Sequence, residues 1–182
     1  MFLHKIDEDL ALKRIEYTDA EELFELSDRS REHLGTWLPW IHFTESPDDT
    51  KTFIKGCLQR YAENDGETVC IMYKGGIAGV IDFHELSWSH KRTSIGYWMG
   101  VNYKGLGLLT RSCEVLFDYA FNQLGLNRIE IRAAEENLKS RAVPERLGFV
   151  QEGIIRDAAD MYGNYVNHVL YGMLAREWKA KA

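Results

Sequence analysis

The residues best suited to chemistry stand in one short run, Lys104-Gly105-Leu106-Gly107-Leu108-Leu109-Thr110. It joins an apolar, aromatic segment, Ile95 to Met99, to a segment whose apolar positions Leu108, Leu109, Val115, Leu116, Tyr119 and Ala120 recur at helical spacing. A strand that turns through glycines into a helix leaves the first N–H groups of that helix unpaired at the positive end of its dipole, an arrangement that receives phosphate. Gly105 and Gly107 let a ligand approach the backbone, and Lys104 sets a point charge beside it. The run therefore predicts a site for a pyrophosphate-bearing cofactor, the plain alternative being an ordinary glycine turn. A nucleotide P-loop would open the helix with Gly-Lys-Ser/Thr, and a dinucleotide fingerprint would carry a third glycine where Thr110 stands; neither is present.

Other chemistry-bearing residues are scattered. Asp82 and Glu85 are carboxylates on one apolar strand segment, available to an amine substrate. Trp37, Trp40 and Phe43 surround Pro39, and rigid aromatics in a loop make either a packed cover for the core or a substrate wall. His84 and His168 read as histidines at the edge of the core or on the surface, and no His/Cys spacing predicts a metal. The cysteines, Cys57, Cys70 and Cys113, lie far apart among apolar neighbours and read as reduced core residues of a cytoplasmic protein. A net charge of -6 with no long basic run argues against nucleic-acid binding. No segment is apolar enough for a signal core or a membrane span.

The elements that must hold these residues alternate along one domain, residues 1–182, within the size range of a single α/β core. Leu10 to Ile15 reads as a strand; Thr18 with Glu21 reads as a capping box for a helix carrying Ala20, Leu23, Phe24 and Leu26. Ser46-Pro47-Asp48-Asp49 starts a second helix that Asn64-Asp65-Gly66 stops. Thr68–Tyr73, Ile77–Leu86 and Arg92 to about Gly100 form an antiparallel meander, followed by the glycine loop and a helix that ends near Gly125. Arg128–Ala133 is a strand, Asn137–Arg146 a short helix closed by Gly148, and Phe149–Arg156 and Tyr165–Ala175 two last strands.

This order, β-α-α-β-β-β-α-β-α-β-β, and two of its motifs resemble the GNAT acetyltransferases. The first motif is the Gln/Arg-x-x-Gly-x-Gly/Ala loop, here opening with Lys104. The second is an asparagine, a helix and Leu-Gly-Phe, here Asn137 through Leu147-Gly148-Phe149. Asp28-Arg29-Ser30-Arg31-Glu32-His33-Leu34, Trp37-Leu38-Pro39-Trp40, Ile95-Gly96-Tyr97-Trp98 and Glu177-Trp178 resemble the RimJ/RimL group, the RimL type most closely. The resemblance implies an α/β GNAT fold, a mixed and mostly antiparallel sheet of about seven strands, splayed in the middle, with about four helices. It implies acetyl-CoA as co-substrate and the N-terminal α-amine of a protein, a ribosomal one, as acceptor. A small amine acceptor or a non-catalytic CoA-binding module are the alternatives.

The resemblance also assigns residues. Trp98, Met99, Gly100, Val101, the run Lys104 to Thr110, Asn137 and Ser140 would bind the cofactor, a backbone N–H near Trp98–Gly100 meeting the acetyl carbonyl. Many GNAT enzymes place a tyrosine near the sulfur seven residues after the motif asparagine, where this chain has Pro144. Ser140, a serine in RimL-type enzymes, would donate to the sulfur instead, and Asp160 would orient it or act as base through water. Trp37, Trp40, Asp82 and Glu85 would face the acceptor, and the apolar last strand makes a homodimer or higher homo-oligomer an expectation.

Overall fold

The computed structural model describes residues 3–179. Its centre is one eight-stranded sheet in the order β1-β2-β3-β4-β5-β6-β8-β7, with β1 Leu3–Lys5, β2 Leu10–Arg14, β3 Glu67–Tyr73, β4 Gly76–Ser87, β5 Arg92–Met99, β6 Arg128–Ala134, β7 Val150–Met161 and β8 Asn164–Leu174. All neighbours are antiparallel except β5 and β6. Six helices, α1 Ala20–Arg29, α2 Arg31–Gly35, α3 Pro47–Ala62, α4 Leu108–Asp118, α5 Leu138–Arg146 and α6 Ala175–Lys179, accompany it.

Because side chains alternate along a strand, β3 and β4 feed two cores. Cys70, Ile77 and Val80 pack with Leu23, Leu26, Ile54 and Cys57 of α1 and α3. Val69, Ile71, Ile81 and Phe83 turn to the opposite face, where Leu116 and Phe117 of α4 and Val143 of α5 cover them. Phe117 is fully buried, with Phe149 at 5.3 Å and Trp178 at 5.8 Å between ring centroids. An aromatic of this size contributes about 1.5–3 kcal/mol by burial. The Glu177-Trp178 pair thus locks α6 to that core, and Glu177 accepts the Leu174 N–H at 3.0 Å.

Several expectations are corrected in detail. The eighth strand, β1, is exposed along its whole length, so no burial pattern marks it in the sequence. Its turn is set by Asp7, whose carboxylate accepts from the N–H groups of Asp9 and Leu10, both at 2.8 Å. Thr18 and Glu21 form no capping box; Glu16 and Asp19 cap each other around the short turn that precedes α1. The Ser46 cap of α3 forms as expected, paired with Asp49. β7 does not stop at Arg156: a register irregularity between Ile155 and Ala159, with Asp157 at φ 49°, lets it run on to Met161.

Candidate active site

The parallel pairing of β5 with β6 covers only Arg92↔Arg128 to Ile95↔Ile131. Beyond Ile95 the two strands part, and the second half of β5 borders a gap. Gly100 donates its N–H to Ala78 on β4 at 2.8 Å, and Trp98 faces Val80 in register. Antiparallel pairing alternates, so the N–H of Met99 points the other way, into the gap. Of the three residues expected to offer a donor, Met99 is the one so placed. Gly100 is committed to β4, and Val101 gives its N–H to Ser30 Oγ at 3.0 Å. A Cβ on Gly100 would lie 2.4 Å from Leu26 Cδ1 of α1, so a larger residue there would displace that side chain.

β5 leads through residues 101–103 into the glycine loop. Gly105 and Gly107 adopt φ 75° and 70°, conformations costly for other residues, and space is open within 4 Å where a Cβ would stand on either. Gly107 is the N-cap of α4 and no side chain caps that helix, so its first amides are left for a ligand. Leu108 is buried at 3% exposure, anchoring the helix start, while Leu106 is half exposed. The backbone of this run is open to a phosphate, with the exposed Lys104 side chain beside it. Burial and the neighbouring Lys139 lower the Lys104 pKa; burial, Lys104 and Lys139 lower that of His33. Lys104 of the loop and Lys139 of α5 therefore form one cationic patch, with His33 of α2 beside it held toward its neutral form, and Lys139 is a residue that sequence reasoning missed. The loop, its open space and the patch fit the pyrophosphate of acetyl-CoA.

Across the gap stands α5. Asn137 caps it, accepting the Ser140 N–H on Oδ1 at 3.2 Å, a role compatible with its side-chain amide facing a ligand in the gap. Pro144 lies inside the helix and has no N–H for the Ser140 carbonyl. Tyr97 supplies the missing donor: its hydroxyl, reaching from β5, donates to Ser140 O at 2.9 Å. Burial pushes the Tyr97 hydroxyl well above the usual phenol range, so it remains a donor. Tyr97 is the second residue sequence reasoning missed, and the signal for it was the proline itself. Among the described residues no hydrogen bond or ion pair links Ser140 with Asp160.

The opposite face of the sheet carries the aromatic residues. Trp40, in the turn Pro39–Phe43, lies against Trp98 of β5 with centroids 5.8 Å apart. Beside it a groove of about 610 Å³ is lined by Pro39, His42, Phe43, Asp160, Tyr162 and Gly163. Its two walls are tied together, since the Tyr162 hydroxyl donates to the Gly35 carbonyl and His42 packs edge-on against the Tyr162 ring at 5.3 Å. Phe43 is 79% exposed at the rim. Asp160 belongs to the end of β7 rather than to a loop; its Oδ1 accepts the Gly163 N–H at 2.7 Å. Trp37 is half-buried and does not line the groove.

Asp82 is no free substrate carboxylate. It is buried, accepting from Thr68 Oγ1 at 2.7 Å and from Arg60 of α3 at 2.8 Å. Glu85 sits exposed at a bulge with φ 49° and is not among the residues lining the groove. No group of three or more His, Cys, Asp or Glu among the described residues could hold a metal.

A splayed sheet with an uncapped glycine loop at the end of β5, a backbone donor in the gap and an aromatic groove on the far face defines an acyl-CoA-dependent transferase. The chain matches the Acetyltransferase (GNAT) domain over residues 9–150. It is 38% identical, over 100% of both chains, to the "Putative ribosomal N-acetyltransferase YdaF" of Bacillus subtilis (strain 168). It is 25% identical to the ribosomal-protein-serine acetyltransferase of Escherichia coli (strain K12), over 93% of this chain and 95% of that one. A solved ribosomal L7/L12 alpha-N-protein acetyltransferase, RimL, in complex with coenzyme A superposes with a TM-score of 0.93 at 22% identity, over 97% of this chain and 99% of the other. The chain belongs to the GNAT acetyltransferase family, and its acetyl donor is acetyl-CoA.

Proposed function

We propose that this chain acetylates the N-terminal α-amino group of a protein, a ribosomal one, by direct attack on acetyl-CoA in a ternary complex. The observation that carries the reading is the groove beside Trp40 and Trp98. It is open to the outside, walled by aromatic rings and provided with one carboxylate, Asp160, which suits an extended peptide end bearing an ammonium. The relatives named for ribosomal acceptors support it. An α-amine titrates near pH 8, more than two units below a lysine side chain, and so gives up its proton readily. Met99 N–H holds the carbonyl oxygen, Ser140 protonates the departing sulfur, and Asp160, with Oδ2 uncommitted, attracts the ammonium. Such a protein works in the cytoplasm, and exposed Val150 and Ile154 on the edge strand β7 support self-association.

The test is acetyl-CoA-dependent acetylation of a panel of ribosomal-protein N-terminal peptides and small amines, read by mass spectrometry. Acetyl on a peptide α-amine is expected. Transfer to small amines alone would overturn the acceptor assignment.

A further inference from the structure

An ammonium must lose a proton before it can attack a thioester, and Met99 and Ser140 are donors that cannot accept it. We propose that His84 is the general base of this acetyltransferase, its imidazole set by Asp82 on the acceptor face of the sheet. The inference rests on the acetyltransferase reading but not on which amine is the acceptor.

Val80, Asp82 and His84 alternate along β4 and share the face covered by α1 and α3. Gly96 and Trp98, their register partners on β5, share it too. Tyr97 between them reaches the opposite face and α5. His84 therefore stands on the same side as the Trp40–Trp98 pair, while Ser140 stands across β5. Its ring is 48% exposed, with Nδ1 3.4 Å from Asp82 Oδ2. Asp82 is itself immobilised by Arg60 and Thr68, so its carboxylate is a fixed charge beside Nδ1 that favours the proton there and leaves the lone pair on Nε2. Nε2 occupies the space over Gly96: a Cβ on that residue would lie 2.2 Å from it. The ring thus lies over the strand that runs on through Tyr97 and Trp98 to Met99, the donor of the acetyl site. The charged groups packed around it are Asp82 on its own strand and Arg60 from α3; Ser94 and Gly96 on β5 do not titrate.

In the step, His84 Nε2 takes one proton from the ammonium. The freed lone pair forms the C–N bond to the acetyl carbon, and the C–S bond breaks with its electron pair leaving on sulfur. Sulfur receives the Ser140 hydroxyl proton, and the second N–H proton, lost as the amide forms, returns through solvent to the Ser140 oxygen. Ammonium and acetyl-CoA give amide, CoA thiol and one proton, which leaves His84 for solvent. Base and acid act from opposite faces of β5.

The test compares wild type with His84→Ala and His84→Gln on whichever amine the wild type acetylates. An α-amine near pKa 8 is about one-tenth neutral at pH 7, so loss of the base lowers kcat/KM about tenfold there and less than about twofold at pH 9.5, where the amine is neutral unaided. Acetyl-CoA affinity by calorimetry stays unchanged. His84→Gln, which keeps a polar contact to Asp82 but takes no proton, shows the same deficit. No deficit at pH 7, an equal deficit at both pH values, or recovery in the glutamine variant would overturn the assignment. A more basic acceptor moves the closing pH up to its own pKa, so an error in the acceptor and an error in the base are told apart.

Discussion

Tyr97→Phe removes one oxygen and isolates one consequence, the carbonyl of Ser140 left without a donor. In an ordinary helix the N–H of residue 144 would serve that carbonyl, but Pro144 has none, and the hydroxyl 2.9 Å away is its partner. Leaving a part-buried acceptor unpaired costs about 1–3 kcal/mol. Partial exposure of Ser140 places this case at the lower end, about 1–2 kcal/mol. For a chain of this length each kcal/mol lowers Tm by about 2–4 °C, so a fall of about 2–8 °C is expected in a thermal melt. Because α5 loses its tie to β5, kcat should fall several-fold while acetyl-CoA affinity holds. Pro144→Ala supplies the control by restoring an N–H four residues after Ser140. In that background Tyr97→Phe should cost less than about 0.5 kcal/mol, a coupling read by a double-mutant cycle. Equal costs in both backgrounds would refute the argument that the tyrosine replaces what the proline withholds.

Gly107→Val forces a branched side chain into φ 70° and fills the open space above the loop, so acetyl-CoA affinity should weaken at least about tenfold by calorimetry. Unchanged affinity in a folded variant would remove the loop from the cofactor site. Ser140→Ala should lower kcat by about a hundredfold with acetyl-CoA affinity unaltered, the signature of a group used in the transition state; full turnover would exclude it as acid. Glu130 is buried on β6, and Arg128 and Arg132 outweigh its desolvation to hold its pKa below the usual range; the Arg128 hydrogen bond lowers Glu152 likewise. Their folded pKa values lie below the unfolded ones, so this stability is present above about pH 4.3 and is lost as pH falls through the folded values. Glu130→Gln should flatten the dependence of Tm on pH below the ordinary carboxylate range, and an unchanged slope would show that the cluster does not govern acid stability.

The glycine loop was legible because its chemistry is local: two glycines, an uncapped helix start and a lysine lie within a few residues and act through the backbone. The β-meander was legible as apolar runs bounded by turn residues, since both faces of β3 and β4 are covered. Asp82 misled because a strand carboxylate looks the same in sequence whether it faces a substrate or a guanidinium on α3. Asp160 was taken for a loop residue because the irregularity at Asp157 looks like a strand end until β8 pairs beyond it. Asn137 was placed correctly at the start of α5, where its side chain caps the helix, because an asparagine before a helix is a short-range signal.

The sequence by itself determined the succession of elements from β2 to β8 apart from α2, the glycine loop at the start of α4 and the membership of a family, because these depend on short-range spacing and on backbone conformations that particular residues permit. Only the tertiary structure decided where β5 parts from β6, that Met99 rather than Gly100 turns its N–H into the gap, and that Tyr97 serves the carbonyl beside Pro144. These facts rest on pairings between segments far apart in the chain, and a hydrogen bond's partner is fixed by three-dimensional register rather than by the residues on either side of it.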